Sequence, residues 1–268
     1  MKTGILGYGS MGKMLLWKFF ESGVVAKEDL YVANRTAAKV QEAAAIANVC
    51  TNVEAAKACD ILFVCVRPAD IKIVLDEIKD DIKDEIFIVS LNGSVKFEHM
   101  ERIVKCKMAK VIPSVTAEIG RSQSLVCYNE LVTEQDKAEL TKLLATIGDA
   151  IELPENEMGM GSELASCMPG FIASIFDVIC RSAKKHTTIP DEQIVKIVMN
   201  TMSATGELML QKNMTFEDVV NRVATPGGIT MEGTKVVYEG FPETADQLFE
   251  KTLAKRRATA QNAEKLFN

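Results

Sequence analysis

An apolar run, Thr3-Gly4-Ile5-Leu6, leads directly into Gly7-Tyr8-Gly9-Ser10-Met11-Gly12 and then into a helical pattern over Met11–Glu21. A G-x-G-x-x-G between a strand and a helix restricts the fold more than any other feature of the chain. The first glycine permits a tight turn, the second lets the backbone approach a pyrophosphate, and the third packs helix against strand. The free N–H groups and positive dipole end of that helix suit phosphate. The pattern predicts a dinucleotide site in which Gly7, Tyr8, Gly9, Ser10, Met11 and Gly12 hold the pyrophosphate.

The rest of the first half fits this beginning. Short apolar runs at Leu30–Ala33, Ile61–Val66, Ile86–Ser90, Met108–Ile112 and Ser124–Cys127 read as strands. Amphipathic stretches at Thr36–Ala47 and Ile71–Lys79 read as helices between them, which makes a parallel α/β sheet. After Pro154 the pattern changes to helices alone: Glu157–Lys185, Asp191–Gln211 and Pro242–Leu266. Pro190 and Pro242, each followed by an acid, read as helix starts. Glu157–Lys185 is too apolar for a helix with one exposed face, and a partner subunit is one way to cover it. The expected domains are residues 1–154, an α/β dinucleotide-binding domain, and residues 155–268, an all-α domain.

Composition removes several function classes. The balance of 31 basic and 37 acidic residues gives a net charge of −6, with no basic block to neutralise nucleic acid. The 7 cysteines form no C-x-x-C, which argues against a zinc-ribbon spacing and for free thiols in a reducing compartment. Only 2 histidines, His99 and His186, are present, so a His-based metal site or Ser-His-Asp triad has little material. His99 reads as a surface residue of an exposed helix, and Lys255-Arg256-Arg257 as a solvated face. No uninterrupted apolar run reaches bilayer length, and glycines break any signal-peptide core. The expectation is a soluble, cytoplasmic protein with no metal, no nucleic-acid partner and no membrane partner.

The end of the second strand bears on which dinucleotide binds. NAD sites usually place an acid there for the ribose hydroxyls. This chain has Asn34-Arg35-Thr36 instead. Arg35 can pair with a 2′-phosphate, and Asn34 and Thr36 add neutral hydrogen bonds. Charge-assisted bonds of this kind contribute roughly 1.5–3 kcal/mol each, so NADP(H) is favoured over NAD(H).

Hydride transfer to a ketone normally needs a side chain to manage the proton, and no obvious one is present. A protonated imine brings its own proton, leaving the enzyme to orient and desolvate it. Thr225-Pro226-Gly227-Gly228-Ile229-Thr230 is a compact turn running into a helix that begins near Thr230. Exposed amides of such a turn can hold a carboxylate, and a threonine hydroxyl can meet a ring nitrogen.

With these segments in view, the chain resembles the pyrroline-5-carboxylate reductase family over nearly its whole length. The family's G-x-G-x-M is matched by Gly7 to Met11, its A-V-K-P by Cys65-Val66-Arg67-Pro68, and its S-P-G-G-x-T by Thr225 to Thr230. The resemblance implies a Rossmann-like domain followed by a helical domain that dimerises by interleaving. It implies cofactor contacts at Asn52, at Val66, Arg67 and Pro68, and at Leu91, Asn92 and Gly93 on the nicotinamide side. It also implies a substrate site of Met168, Pro169, Gly227, Gly228, Ile229 and Thr230, with Thr230 on the imine nitrogen. The expected activity is NADPH-dependent reduction of 1-pyrroline-5-carboxylate, a small imine carboxylate, to L-proline by a homodimer or higher homo-oligomer.

Three departures bear on the substrate. The family's M-P-N-T-P reads Ile112-Pro113-Ser114-Val115-Thr116, its S-G-S-G-P-A reads Ala165-Ser166-Cys167-Met168-Pro169-Gly170, and Asn213 stands where a substrate-side acid is expected. The Ile112-Pro113-Ser114 and Ser166-Cys167-Met168-Pro169 variants look closer to the late-competence branch. The alternatives are a reductase of another cyclic imine or small carboxylate, and a non-catalytic, cofactor-binding regulatory homologue.

Overall fold

The computed structural model describes residues 1–267. Its strands are β1 (Thr3–Leu6), β2 (Leu30–Ala33), β3 (Asn48–Cys50), β4 (Ile61–Val64), β5 (Phe87–Ser90), β6 (Lys107–Ile112), β7 (Ser122–Tyr128) and β8 (Gly148–Glu152). They form one sheet in the order β3-β2-β1-β4-β5-β6-β7-β8. Pairing is parallel from β3 through β6, β7 runs antiparallel to β6, and β8 is parallel to β7. The helices are α1 (Ser10–Glu21), α2 (Asn52–Ala58), α3 (Pro68–Ile78), α4 (Phe97–Glu101), α5 (Glu134–Leu144), α6 (Met158–Ser162), α7 (Met168–Ala183), α8 (Asp191–Lys212), α9 (Phe216–Val223) and α10 (Ile229–Glu264).

The chain divides into two compact units: Met1–Pro169 together with the segment from Leu253 onward, and Gly170–Thr252. In the first unit, alternation along each strand feeds two apolar layers. Ile5, Phe63 and Val89 face the layer that holds Leu15, Phe19, Leu140 and Leu143. Leu6, Leu62 and Ile88 face the layer that holds Ile71, Leu75 and Met100. All four residues of β1, β4 and β5 are therefore buried, the pattern of parallel strands covered on both sides.

β3 and β8 lie at the sheet's edges and were not expected. Both are partly exposed, so neither carries the apolar run that marks an inner strand. The helix expected over Thr36–Ala47 is instead a run of 3-10 turns at Ala37–Ala45. Val40 and Ala43 are buried within it and Ile46 is buried just after it, a spacing of three, which is the period of a 3-10 helix. The capping box at Thr215 and Asp218 opens α9, a short helix between α8 and the turn at Thr225.

The expected helix start at Pro242 is a correction. Pro242 sits inside α10, which begins at Ile229. A proline there deprives the carbonyl of Tyr238 of its donor. Both residues are exposed in the chain, so the loss does not strand a polar group in the core. The absence of a long apolar segment is also corrected. Glu155–His186 is one helical run of 32 residues, long and apolar enough by length and composition alone to cross a membrane. Glu163, Asp177 and small residues interrupt the run, which hid it from a search for unbroken apolar stretches.

His99 is not a surface residue: it is buried. Its ring stacks on Phe267 at 5.6 Å between centroids, and Nε2 lies 3.5 Å from Glu264 Oε1. Both partners come from the chain's C-terminal segment, whose return to the first unit no local pattern reveals. Lys110 is a second buried polar residue. From β6 it donates to Glu155 Oε1 at 2.7 Å and to the Val95 carbonyl at 3.1 Å. Glu155 Oε1 also accepts the Phe97 amide at 2.9 Å, so one carboxylate ties the start of the helical run to β6 and α4.

Gly148 opens β8 at φ +137°, and an added Cβ would lie 2.2 Å from the Ser122 carbonyl oxygen. Gly148→Ala is expected to destabilise the protein by more than about 2 kcal/mol, combining backbone strain with a clash against backbone. Urea denaturation followed by circular dichroism measures this directly.

Candidate active site

Five loops meet at the C-terminal ends of neighbouring parallel strands, the usual ligand position of an open α/β sheet. They are Asn52 after β3, Asn34-Arg35-Thr36 after β2, Gly7–Gly12 after β1, Val66-Arg67-Pro68 after β4 and Leu91-Asn92-Gly93 after β5. Every cofactor residue expected from the sequence lies in this row.

The glycine turn shows why each glycine is needed. Gly7 has φ +102°, and its amide donates to the Ala33 carbonyl at 2.8 Å. A Cβ on Gly12 would fall 2.0 Å from the Gly7 carbonyl oxygen, so α1 can lie on the turn only without a side chain there. At Gly9 an added Cβ would meet nothing within 4 Å. Gly9 is also the N-cap of α1, and no side chain caps the helix. Gly9 thus fronts open space beside uncapped amides, the arrangement that a pyrophosphate fits.

The flanking loops are held from within. Asn34 Oδ1 accepts the Tyr8 amide at 3.0 Å, and its Nδ2 donates to the Thr36 carbonyl at 3.0 Å. Asn34 therefore ties the β2 loop to the glycine turn. Arg35 and Arg67 extend into solvent, each near Asp70. Pro68 is the first residue of α3 and Arg67 its N-cap. Asn52 opens α2 and donates to Glu77 Oε2 at 2.8 Å. Asn92 is nearly buried, and its Oδ1 accepts the amides of Ser94 and Val95 at 2.7 and 3.1 Å. Lys110 holds the Val95 carbonyl of the same loop. A Cβ on Gly93 would fall 2.7 Å from Ile112 Cδ1, which keeps Leu91-Asn92-Gly93 close to β6.

Met168 and Pro169 end the first unit and are half-buried. A π-helical turn at Glu163–Cys167 immediately precedes them, and such turns occur often at functional sites. Glu163 is 1% exposed. Its Oε1 accepts from Arg256 Nε at 2.9 Å, and Arg256 Nη2 also reaches Ser162 Oγ at 3.0 Å and Cys167 Sγ at 3.7 Å. Arg256 is thus turned inward, which corrects its reading as part of a solvated face; Lys255 and Arg257 remain exposed. The sequence signal for this network was Glu163 within the apolar stretch Met158–Phe176, since a buried carboxylate needs a partner. Burial, followed by the charge of Glu163, pushes the Cys167 thiol above its ordinary value. Cys167 is correspondingly a poor nucleophile at neutral pH.

The second unit carries the remaining substrate residues. In the turn at Thr225–Gly228, the Gly228 amide donates to the Thr225 carbonyl at 2.8 Å and Gly227 has φ +72°. A Cβ on Gly228 would fall 2.5 Å from Thr225 Oγ1. Ile229 and Thr230 then begin α10, both exposed in the chain.

Comparison with known proteins resolves the lineage. Pyrroline-5-carboxylate reductase 3 of Bacillus subtilis is 30% identical over 260 residues, covering 95% of each chain. The chain belongs to the pyrroline-5-carboxylate reductase family. Within it, residues 155–259 match the family model for pyrroline-5-carboxylate reductase dimerisation, and residues 2–93 match that of NADP oxidoreductase, coenzyme F420-dependent. ComE operon protein 4 of Bacillus subtilis is 24% identical over the full length of both chains. A crystal structure of Plasmodium falciparum pyrroline carboxylate reductase with NADP bound has a TM-score of 0.85 at 22% identity, covering 97% of this chain and 98% of that one. That likeness establishes the fold: a dinucleotide-binding oxidoreductase fold followed by the family's helical dimerisation region.

Gly9→Ala separates binding from folding, because its methyl group meets no protein atom. The variant is expected to keep its melting temperature within about 2 °C while losing at least about tenfold in dinucleotide affinity, since the methyl enters the space a phosphate needs. Thermal denaturation and fluorescence titration with NADPH measure the two quantities.

Proposed function

We propose that this chain reduces 1-pyrroline-5-carboxylate to L-proline with NADPH. The observation that carries this reading is the match to a pyrroline-5-carboxylate reductase across 95% of both chains, with the glycine turn complete at Gly7–Gly12. Gly7 to Gly12 hold the pyrophosphate on the first amides of α1. Arg35 supplies the positive charge for a 2′-phosphate, with Asn34 and Thr36 shaping its loop. Asn52, Val66 and Arg67 border the remainder, and Pro68 with Leu91, Asn92 and Gly93 forms the nicotinamide side. The reduced nicotinamide supplies a hydride when bound.

The substrate explains the scarcity of acids near the expected site. A protonated imine already holds the proton that ends on the product amine, so the site has only to orient the ring and exclude water. Thr230 Oγ1 orients the ring nitrogen, the amides of Gly227, Gly228 and Ile229 hold the carboxylate, and Met168 and Pro169 shape the pocket. Residues 1–154 form the nucleotide-binding domain and 155–268 the dimerisation and substrate domain in this reading. A second copy of the chain covers the helical region, where Val178, Leu210, Val236 and Tyr238 are large apolar residues left exposed. The family match over 155–259 supports that arrangement.

Two experiments follow. Addition of pyrroline-5-carboxylate to the purified protein and NADPH is expected to consume NADPH, followed at its near-ultraviolet absorbance, with proline as product. Thr230→Ala is expected to lower kcat/KM by at least about tenfold, the scale of one lost hydrogen bond to the reacting group. Turnover below background on this substrate ends the proposal, and an undiminished variant ends the role of Thr230. Sedimentation equilibrium is expected to give at least a dimer of the 29.4 kDa chain.

A further inference from the structure

Arg35 follows β2 and Arg67 follows β4, the two strands on either side of β1. Both arginines reach one carboxylate. Arg35 Nη1 lies 3.7 Å from Asp70 Oδ1, and Arg67 Nε lies 3.4 Å from Asp70 Oδ2. The Arg35–Asp70 pair therefore spans from the β2 loop to the β4 loop, across the strand end from which the glycine turn departs. The two arginine side chains are 79% exposed and Asp70 is 25% exposed, so the arginines are free to swing while the acid is held. Asp70 is the third residue of α3, behind Pro68, and its amide donates to the Arg67 carbonyl at 2.9 Å. An acid at that place, in the first turn of α3, is also favoured by the helix dipole.

A carboxylate between two guanidinium groups occupies the place that an anionic ligand would take, and it uses the same donors. We propose that Asp70 is an internal competitor of the cofactor's 2′-phosphate and a determinant of the NADPH-to-NADH selectivity. Arg35 exchanges Asp70 for the phosphate when NADPH binds and keeps Asp70 when NADH binds. Exposed pairs of this kind are weak and screened by salt, so the exchange has a low barrier. The phosphate carries more negative charge than the carboxylate and wins the competition, yet Asp70 remains beside it and repels it. Asp70 thereby holds NADPH affinity below what the two arginines alone would give. NADH carries a neutral hydroxyl at that position and is insensitive to the exchange. The inference rests on the proposed preference for NADPH and deepens it.

The test is equilibrium binding of NADPH and of NADH to the full-length protein, followed by nucleotide fluorescence, for wild type, D70N, D70E, R35A and R35A/D70N. Melting temperatures identify any variant that fails to fold, and D70E supplies the charge-preserving control. D70N is expected to tighten NADPH about three- to tenfold, the scale of a single exposed charge, and to change NADH by less than about twofold. D70E is expected to keep the wild-type ratio. In the R35A background most of the gain from D70N disappears, because the contested group is gone. Equal changes for both nucleotides, no change in D70N, or the same gain without Arg35 overturns the role of Asp70. If R35A leaves NADPH affinity intact, or wild type binds neither nucleotide, the cofactor reading itself fails and this inference with it. A loss of NADPH affinity in R35A beside an inert D70N removes only the inference about Asp70.

Discussion

Burial of both faces of the parallel sheet leaves only its ends free. Each of β1, β4 and β5 sends alternate residues into two apolar layers, and neither layer touches water. A buried Leu, Ile or Phe contributes roughly 1.5–3 kcal/mol, so a polar site on either face would forfeit much of the core. The loops at the C-terminal strand ends carry no such cost. They also point helix N-termini toward one another's strands, as α1 and α3 do, and this concentrates amides and positive dipole ends at a single edge. The glycine turn, the arginines and the Asn92 loop share that edge for this reason.

Two buried charges hold the ends of this arrangement. Lys110 and Glu155 join the middle of the sheet to the first turn of the helical run, while Lys110 also fixes the Val95 carbonyl beside Asn92. Glu163 and Arg256 join the π-helical turn to α10. In both pairs one member is almost fully enclosed, where losing its partner would leave a charge stranded in apolar surroundings. One carboxyl oxygen, Glu163 Oε2, has no partner among the described residues. The π-helical turn keeps that charge at the step before Met168 and Pro169, the segment that departs from the family's small-residue pattern.

Much of this was legible in the residues themselves. Gly7, Gly9 and Gly12 declared the turn: Gly7 and Gly12 answer steric demands of the fold itself, and Gly9 leaves open space in front of the first amides of α1. The inner strands were legible since burial on both sides requires unbroken apolar runs such as Ile61–Val64. The edges were not: Asn48–Cys50 and Gly148–Glu152 pair on one side only and can be half polar. His99 and Arg256 were misread for one common reason. Each looks solvated within its own helix, and its partner lies far away in sequence: Glu264 and Phe267 for His99, Ser162, Glu163 and Cys167 for Arg256. Local periodicity reports the face a helix presents, and it carries no record of which distant segment comes to cover that face. The proline at 242 misled differently, since an exposed helix can carry a missing hydrogen bond that a buried one cannot.

The return of α10 gives the chain an unusual order of assembly. Residues 170–252 are an insertion, entered after Pro169 and left at Leu253, and the first unit closes only when the segment from Leu253 onward has arrived. During synthesis the nucleotide-binding sheet must therefore wait until Arg256, Glu264 and Phe267 have emerged before His99 and Glu163 acquire their partners. Until then these two polar side chains mark an open flank of the nascent chain, and an early stop in translation leaves the nucleotide unit, rather than the helical one, incomplete.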